Sequence, residues 1–500
     1  MSDTTAGRPT YGNWISHRSP GLLGAGMVGT AVLFVGIIAS LLVMLTAGVR
    51  PALYVAGVAL VAFTATGTPL GAWVARRALF GYASLRGETT HRSGVLVRSP
   101  RRAAPDPAPA VPVRLPGMLG ASELLEASDT WSRFGVVKSS GGLYSIVARC
   151  SAEGPWMQDQ DRVDGWVAAY ATVLAAAGQE TGLVCAKAIT DTAPDPGGRL
   201  GAMVTSLRVP SSPPLAQAVM AEAVAELPAA SSDNVTYLEL TFRGRALNRK
   251  GEQAAILAEL ARKAPGLVAM MQAAGGGAVS MVTADELARL VRVAYDPVTA
   301  PALEQTELDG TDDGVTWADA GPVAYRELWG ELIHDSARSI TWEMVAPPRS
   351  KIIEHALAGL LAPHADFARK RVALLYRPHT PDESTRVAER DANTANFVAQ
   401  QGKKRPTASA KLVQQAAEQS RHEVAAGAAS VRFSLMVTAT VRYDGDLAQA
   451  VSTLEARGRA VPLRLRRCYG AQAAAFAATL PVGFVPWEHT LVSSNVREWL

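Results

Sequence analysis

No stretch of this 500-residue chain supplies a phosphate cradle, and neither its eight histidines nor its three cysteines fall at metal-ligand spacing. A P-loop needs a glycine-rich turn followed by Lys and Ser/Thr opening a helix, because backbone N–H groups and the lysine must wrap the phosphates. The one Gly-Lys step after a plausible loop, Gly402-Lys-Lys-Arg-Pro, puts Phe397 where the first glycine belongs and Lys404 where Ser or Thr belongs. Gly275-Gly-Gly277 reads as a turn between a helix and a strand at 278–282, since no helix follows directly. Glu354-His355 lacks the remaining residues of a zinc-protease helix, and His334-Asp335 has no nucleophile in a sharp elbow. Cys150, Cys185 and Cys468 are odd in number and far apart, which excludes a disulfide framework and leaves buried, inert thiols. Lys403, Lys404 and Arg405, with Lys411 nearby, read as a solvated helix face rather than a nucleic-acid site. The expectation is a chain that is not an enzyme, with no cofactor, metal or direct specific nucleic-acid partner.

Charge is also missing from two long runs, Leu22 to Leu45 and Pro51 to Val74. Each would be about 36 Å long as a helix at about 1.5 Å per residue, against a bilayer core of about 30 Å. A second run so close behind the first argues for a transmembrane hairpin rather than a signal peptide. Arg8 and Arg18 precede the first run; Arg76, Arg77, Arg86, Arg92, Arg98, Arg101 and Arg102 follow the second, and the loop between offers only Arg50. The positive-inside rule then puts both ends in the cytoplasm, in a multi-pass protein of the cell membrane with a large cytoplasmic region. The net charge of +4 is concentrated in this flank, where Arg76, Arg77, Arg98, Arg101 and Arg102 would face anionic lipid.

What is present beyond residue 100 is proline, then alternating strands and helices. PRRAAPDPAPAVPVRLP, 100–116, favours an extended spacer. Phe134 to Lys138 and Leu143 to Cys150 flank Ser-Ser-Gly-Gly, a hairpin signal, and a helix is expected over 157–177. In Asn234 to Arg243 the period of two predicts a half-buried strand, with Leu238, Leu240 and Phe242 inward and Tyr237, Glu239 and Thr241 outward. Thr283-Ala-Asp-Glu286 predicts a capping box opening a helix. Further strands are expected around Ile340 to Met344, Val372 to Tyr376 and Val431 to Tyr443, with a long polar helical region over 382–425, broken near Gly402 and Pro406. The resulting expectation is an α+β protein: two N-terminal transmembrane helices followed by a two-lobed cytoplasmic mixed α/β body. Its divisions are a cytoplasmic N-terminus (1–20), the hairpin (21–75), a basic Pro-rich linker (76–118), a first lobe (119–300), an acidic linker (301–320) and a second lobe (321–500).

The closing stretch has Phe476, Leu480, Pro481 and Gly483 in the pattern Phe-x-x-x-Leu-Pro-x-Gly, then Ser493-Ser494-Asn495. It resembles the end of the N-terminal domain of conjugative type IV secretion ATPases of the TraC kind. Leu287-x-x-Leu-x-Arg-x-x-Tyr-Asp-Pro297 resembles the helix-to-proline segment of that domain, and Val431 to Ala456 its late core. The N-terminal hairpin resembles the small PrgI-type subunit found beside such ATPases, and the arrangement resembles membrane proteins of actinobacterial conjugative and integrative elements. The resemblance implies a non-enzymatic scaffold, part of an oligomeric DNA-transfer machine, that anchors a separate motor ATPase and contacts other membrane subunits. Two other readings stay open: a type VII secretion core component, or the motorless piece of a split or decayed transfer ATPase. Phe484, Trp487, Leu491 and Trp499 make an apolar, aromatic tail that could dock the ATPase or cover the second lobe's own sheet.

Overall fold

The computed structural model describes residues 26–67, 69–93, 113–129, 132–152, 154, 158–195, 197–209, 211–311, 313–348, 352–401, 408–425, 431–461 and 463–489. These fall into two units: 91–484, and a smaller one of 26–90 with 485–489.

The smaller unit is built on α1 (Gly26–Ala47), α2 (Val49–Gly67) and α3 (Pro69–Leu85). Gly48, at φ 90°, makes the reversal between α1 and α2, a backbone setting that side chains resist. The two helices then pack closely: Ser40 Oγ donates to the Ala52 carbonyl at 3.0 Å, and a Cβ on Gly36 would lie 2.2 Å from that of Ala59. Small residues at a crossing let helices approach without a hydrophobic drive from water. Outward, Phe34, Ile38, Leu41 and Leu45 on α1 and Leu53, Val58 and Val61 on α2 are exposed. Among the described residues one helical stretch, Gly29–Ala47, is long and apolar enough to cross a membrane; Val49–Phe63 is apolar but shorter. The second run, expected to continue to Val74, instead ends as α2 at Gly67, and Pro69, lacking an N–H, opens a new helix.

Among the described residues the larger unit holds a sheet of thirteen strands. In chain order they are β1 (Thr90–Arg92), β2 (Glu123–Ser128), β3 (Arg133–Ser139), β4 (Leu143–Ser151), β5 (Leu183–Pro194), β6 (Ser232–Arg243), β7 (Ala278–Met281), β8 (Ala324–Glu327), β9 (Leu332–His334), β10 (Ala337–Ala346), β11 (Arg369–Pro378), β12 (Val431–Arg442) and β13 (Arg464–Arg467). The order is β1-β8-β9-β10-β12-β11-β5-β6-β4-β3-β2, with β7 on β4 and β13 on β10. Helices fill the connections: α4 (Gln160–Gln179), α5 (Gly198–Leu207), α6 (Pro214–Ala230), α7 (Gly244–Leu247), α8 (Gln253–Met271), α9 (Ala284–Tyr295), α10 (Ala300–Leu308), α11 (Ala358–Leu361), α12 (Pro381–Gln401), α13 (Ala408–Ala425), α14 (Leu447–Ala460) and α15 (Gln472–Ala478).

This order contains an internal repeat. A meander β2-β3-β4 is followed by α4, β5, the helical pair α5–α6, β6, α8, β7 and α9; a meander β8-β9-β10 is followed by α11, β11, the pair α12–α13, β12, α14, β13 and α15. Each half sets its last four strands in the split βαβ, ferredoxin-like order: β7-β4-β6-β5 and β13-β10-β12-β11. The halves join edge to edge through antiparallel β5 and β11, from Lys370↔Thr192 to Tyr376↔Ala186. The two expected lobes are therefore not separate bodies, because one sheet runs through both. The expected acidic linker is partly helical as well: α10 lies against α5, where Arg199 meets Glu304 at 3.3 Å.

The two faces of the sheet differ in chemistry. One carries the apolar cores. In the first half Val136, Ile146, Leu238 and Phe242 pack under Ile256, Leu260, Ala264 and Leu267, one stripe of α8. In the second, Ile340, Val372, Leu435 and Val437 pack under Ala450 and Leu454 of α14. The other face joins an apolar cluster under α9, Val137, Val147, Val282 and Leu287, to a buried polar seam: Ser145, Lys187, Glu239, Thr241, Ser339, Thr341, Arg371, Thr438 and Thr440 are at most 1 % exposed. The expectation of a half-buried β6 is thus corrected. Glu239 and Thr241 face inward too, under cover supplied by distant segments.

Candidate functional site

The cover is made by α9 and α15, and each starts on its own half and ends on the other. The capping box expected at α9 is present: Thr283 Oγ1 accepts from Glu286 N–H and Glu286 Oε2 from Thr283 N–H. The start of α9 lies on β3, where a Cβ on Gly135 would meet Leu287 at 2.7 Å and Ala284 Cα at 3.0 Å. Its far end reaches the second half. The Tyr295 carbonyl accepts from His334 Nδ1 at 2.5 Å, and Ser336 Oγ donates to Asp296. Conversely, α15 opens on β10, where Gln472 Oε1 accepts from Thr341 N–H at 2.8 Å. Its exit, Leu480 to Gly483, crosses onto the first half. Lys187 Nζ donates to the Leu480 carbonyl at 3.5 Å, Gly483 N–H donates to Glu239 Oε2 at 3.0 Å, and Ser139 Oγ donates to the Gly483 carbonyl at 3.3 Å.

The polar seam thus reads backbone. Lys187 and Glu239 form an ion pair at 2.8 Å with both side chains wholly buried. A buried pair needs its remaining valences filled to repay desolvation, and here Thr241 Oγ1 and the 480–483 backbone fill them. The Leu-Pro-x-Gly motif has a structural role: Phe476, Leu480, Val482 and Phe484 are buried, and Gly483 takes φ 71° beside the Ser139 and Ser145 hydroxyls. The second segment singled out in the sequence, ending Tyr295-Asp296-Pro297, occupies the counterpart position in the repeat.

His334 sits at the seam's second-half end, where its neutral ring donates from Nδ1 to the Tyr295 carbonyl and accepts at Nε2 from Ser339 Oγ 2.7 Å away. Desolvation pushes its pKa down to about 4, against a smaller upward pull from the Tyr295 carbonyl. The unfolded chain binds this proton below about pH 6.5 while the folded chain refuses it until about 4, so stability is lost as pH falls through that window. The loss amounts to about 1.4 kcal/mol per unit. His334→Gln should flatten the stability–pH profile between pH 6.5 and 4 relative to the parent, measured by denaturant titration of the full chain. Parallel profiles would refute the assignment.

The other sequence candidates are dispersed. Phe484 is 5 % exposed and belongs to the body's own core, while Trp487 is half-buried in the short turn Pro486–Glu488. Leu491 and Trp499 lie outside the described residues. Arg76 and Arg77 are exposed on α3; Arg98, Arg101 and Arg102 lie outside the described residues, as do Lys403, Lys404 and Arg405. All three cysteines are free and buried, and burial raises the Cys150 thiol to about 11 and the Cys468 thiol to about 12. Gly275 and Gly277 take φ 83° and 65° in a turn leading into β7. Among the described residues no three His, Cys, Asp or Glu side chains converge as metal ligands.

Residues 18–68 match a family described as a domain of unknown function, DUF8461. No curated protein matches the chain.

Proposed function

We propose that this chain is a non-enzymatic scaffold subunit of a conjugative type IV secretion machine, held in the cell membrane by α1 and α2 and anchoring a separate motor ATPase. The observation that carries the reading is the pairing of an apolar hairpin with a body whose buried Lys187–Glu239 pair is spent on holding the 480–483 backbone. The close Gly36–Ala59 approach, and apolar side chains turned outward on both helices, support α2 as a second span although its apolar part is shorter than that of α1. Arg76 and Arg77 beyond α2, against Arg50 alone beside the α1–α2 reversal, support cytoplasmic ends. Nucleotide hydrolysis falls to another polypeptide because the sequence offers no phosphate loop. Docking through the aromatic tail rests on Trp487, Leu491 and Trp499, since Phe484 is used internally.

Two measurements on the full chain in its host membrane test the proposal. With single cysteines at position 3 or 49, a membrane-impermeant maleimide should label Val49→Cys in intact cells and leave Asp3→Cys at background. Affinity purification from cells transferring DNA should recover a P-loop ATPase in stoichiometric amount, while the scaffold alone turns over no ATP. Reversed labelling overturns the topology, and recovery without any ATPase overturns the scaffold role.

A further inference from the structure

The internal repeat makes position-by-position comparison of the halves possible, and the comparison isolates one buried cation. Val147 and Thr341 correspond, because the Val147 carbonyl accepts from Val282 N–H after β7 as the Thr341 carbonyl accepts from Cys468 N–H after β13. Glu239 stands opposite Val147, and Thr438 opposite Thr341. Lys187 stands opposite Glu239, and Arg371 opposite Thr438. The second half therefore keeps the cation of the Lys187–Glu239 pair and replaces its carboxylate with a hydroxyl.

Arg371 is 1 % exposed, and its Nε, Nη1 and Nη2 have no hydrogen-bond partner. The Phe476 ring lies 4.6 Å from the guanidinium carbon and covers one face, which leaves the N–H edge without a contact of its own, while Asp191 acts on the charge from a distance. Thr438 Oγ1 is committed to Thr341 and Thr479 at 2.8 and 3.0 Å. Asp191, opposite Arg371 on β5, gives one carboxylate oxygen to Arg369 at 2.7 Å; its other oxygen is buried without a partner and does not reach the Arg371 nitrogens. The local sum is two guanidinium charges against one carboxylate. A fully buried, unpaired charge is among the most unfavourable arrangements a fold can hold.

We propose that Arg371 binds a halide-sized inorganic anion, chloride in the cell, at its N–H edge, where the ion does the work that Glu239 does in the first half. Five N–H donors in a rigid fork suit a small anion, and the buried surroundings strengthen each contact. The site is then a structural ion of the body, independent of the scaffold reading.

The full chain in detergent micelles provides the test. At matched ionic strength, Tm should rise by a few degrees from gluconate to chloride and saturate, as binding to the folded state alone requires. The ³⁵Cl resonance should broaden with the wild-type chain, and bromide should compete. Thr438→Glu supplies the carboxylate in cis and should abolish both responses while holding Tm near its chloride-saturated value; Arg371→Met should abolish them as well. Should either variant fail to fold, anomalous diffraction from wild-type crystals grown in bromide decides: a peak at the Arg371 guanidinium supports the site. Its absence, equal Tm in chloride and gluconate, or chloride broadening that survives Thr438→Glu overturns the proposal and leaves Asp191 as counter-ion to both arginines.

Discussion

Gly483→Val should cost the body about 3–5 kcal/mol, the joint effect of a left-handed backbone setting and an overfilled site. At φ 71° a Cβ here would stand 2.6 Å from Ser145 Oγ and 2.9 Å from Ser139 Oγ, and both hydroxyls are held in the seam. Moving the backbone aside would break the buried Gly483 N–H bond to Glu239. Gly310→Val is the control, because Gly310 has φ 64° with nothing near its would-be Cβ. It should lose only the backbone share, about 1–2 kcal/mol. Denaturant titration of both full-length variants separates the contributions, and equal losses would show that the Ser139–Ser145 slot has no steric role.

The second large effect is expected at the Lys187–Glu239 pair. Glu239→Gln keeps the shape and an acceptor for Gly483 N–H but strands a buried ammonium, which should cost about 3–5 kcal/mol. Lys187→Met strands the carboxylate and should cost as much. The double variant removes both charges and should cost no more than either single change, so the cycle should report a coupling at least as large as one single loss, about 3–5 kcal/mol. Additive losses would mean that the two side chains are held by the backbone of 480–483 and not by each other.

Much of the local structure was legible in the sequence because its causes are local. Thr283 and Glu286 are three residues apart and cap α9 as read; Ser139-Ser-Gly-Gly142 joins β3 to β4, with Gly141 and Gly142 at φ 92° and 76°. The break in the polar region over 382–425 falls between α12 and α13. The seam was not legible. Alternation in β6 placed Glu239 and Thr241 towards solvent, since a strand's own sequence cannot show that a segment hundreds of residues away will cover its polar face. Ser139 and Gly483, which hydrogen-bond, are 344 residues apart. The repeat was hidden for a related reason. Its halves share strand order but few residues, and Lys187 with Glu239 answers to Arg371 with Thr438, a likeness of position and not of letters. Of the proposed docking tail, the sequence marked the aromatics, but only burial could tell that Phe484 belongs to the core.

The crossing of α9 and α15 has a consequence for synthesis. Residues 119–295 contain the first half's strands and its own apolar core, so that half can collapse soon after it leaves the ribosome. Its polar face cannot close then, because Leu480, 293 residues after Lys187, and Gly483, 244 residues after Glu239, have yet to be translated. Until they arrive, a charged, hydrogen-bond-hungry surface stays open to water while α1 and α2 have already emerged. The two halves must therefore finish folding together, in one late step, and a nascent chain stalled before residue 480 would be left with a completed apolar core and an unsealed polar one.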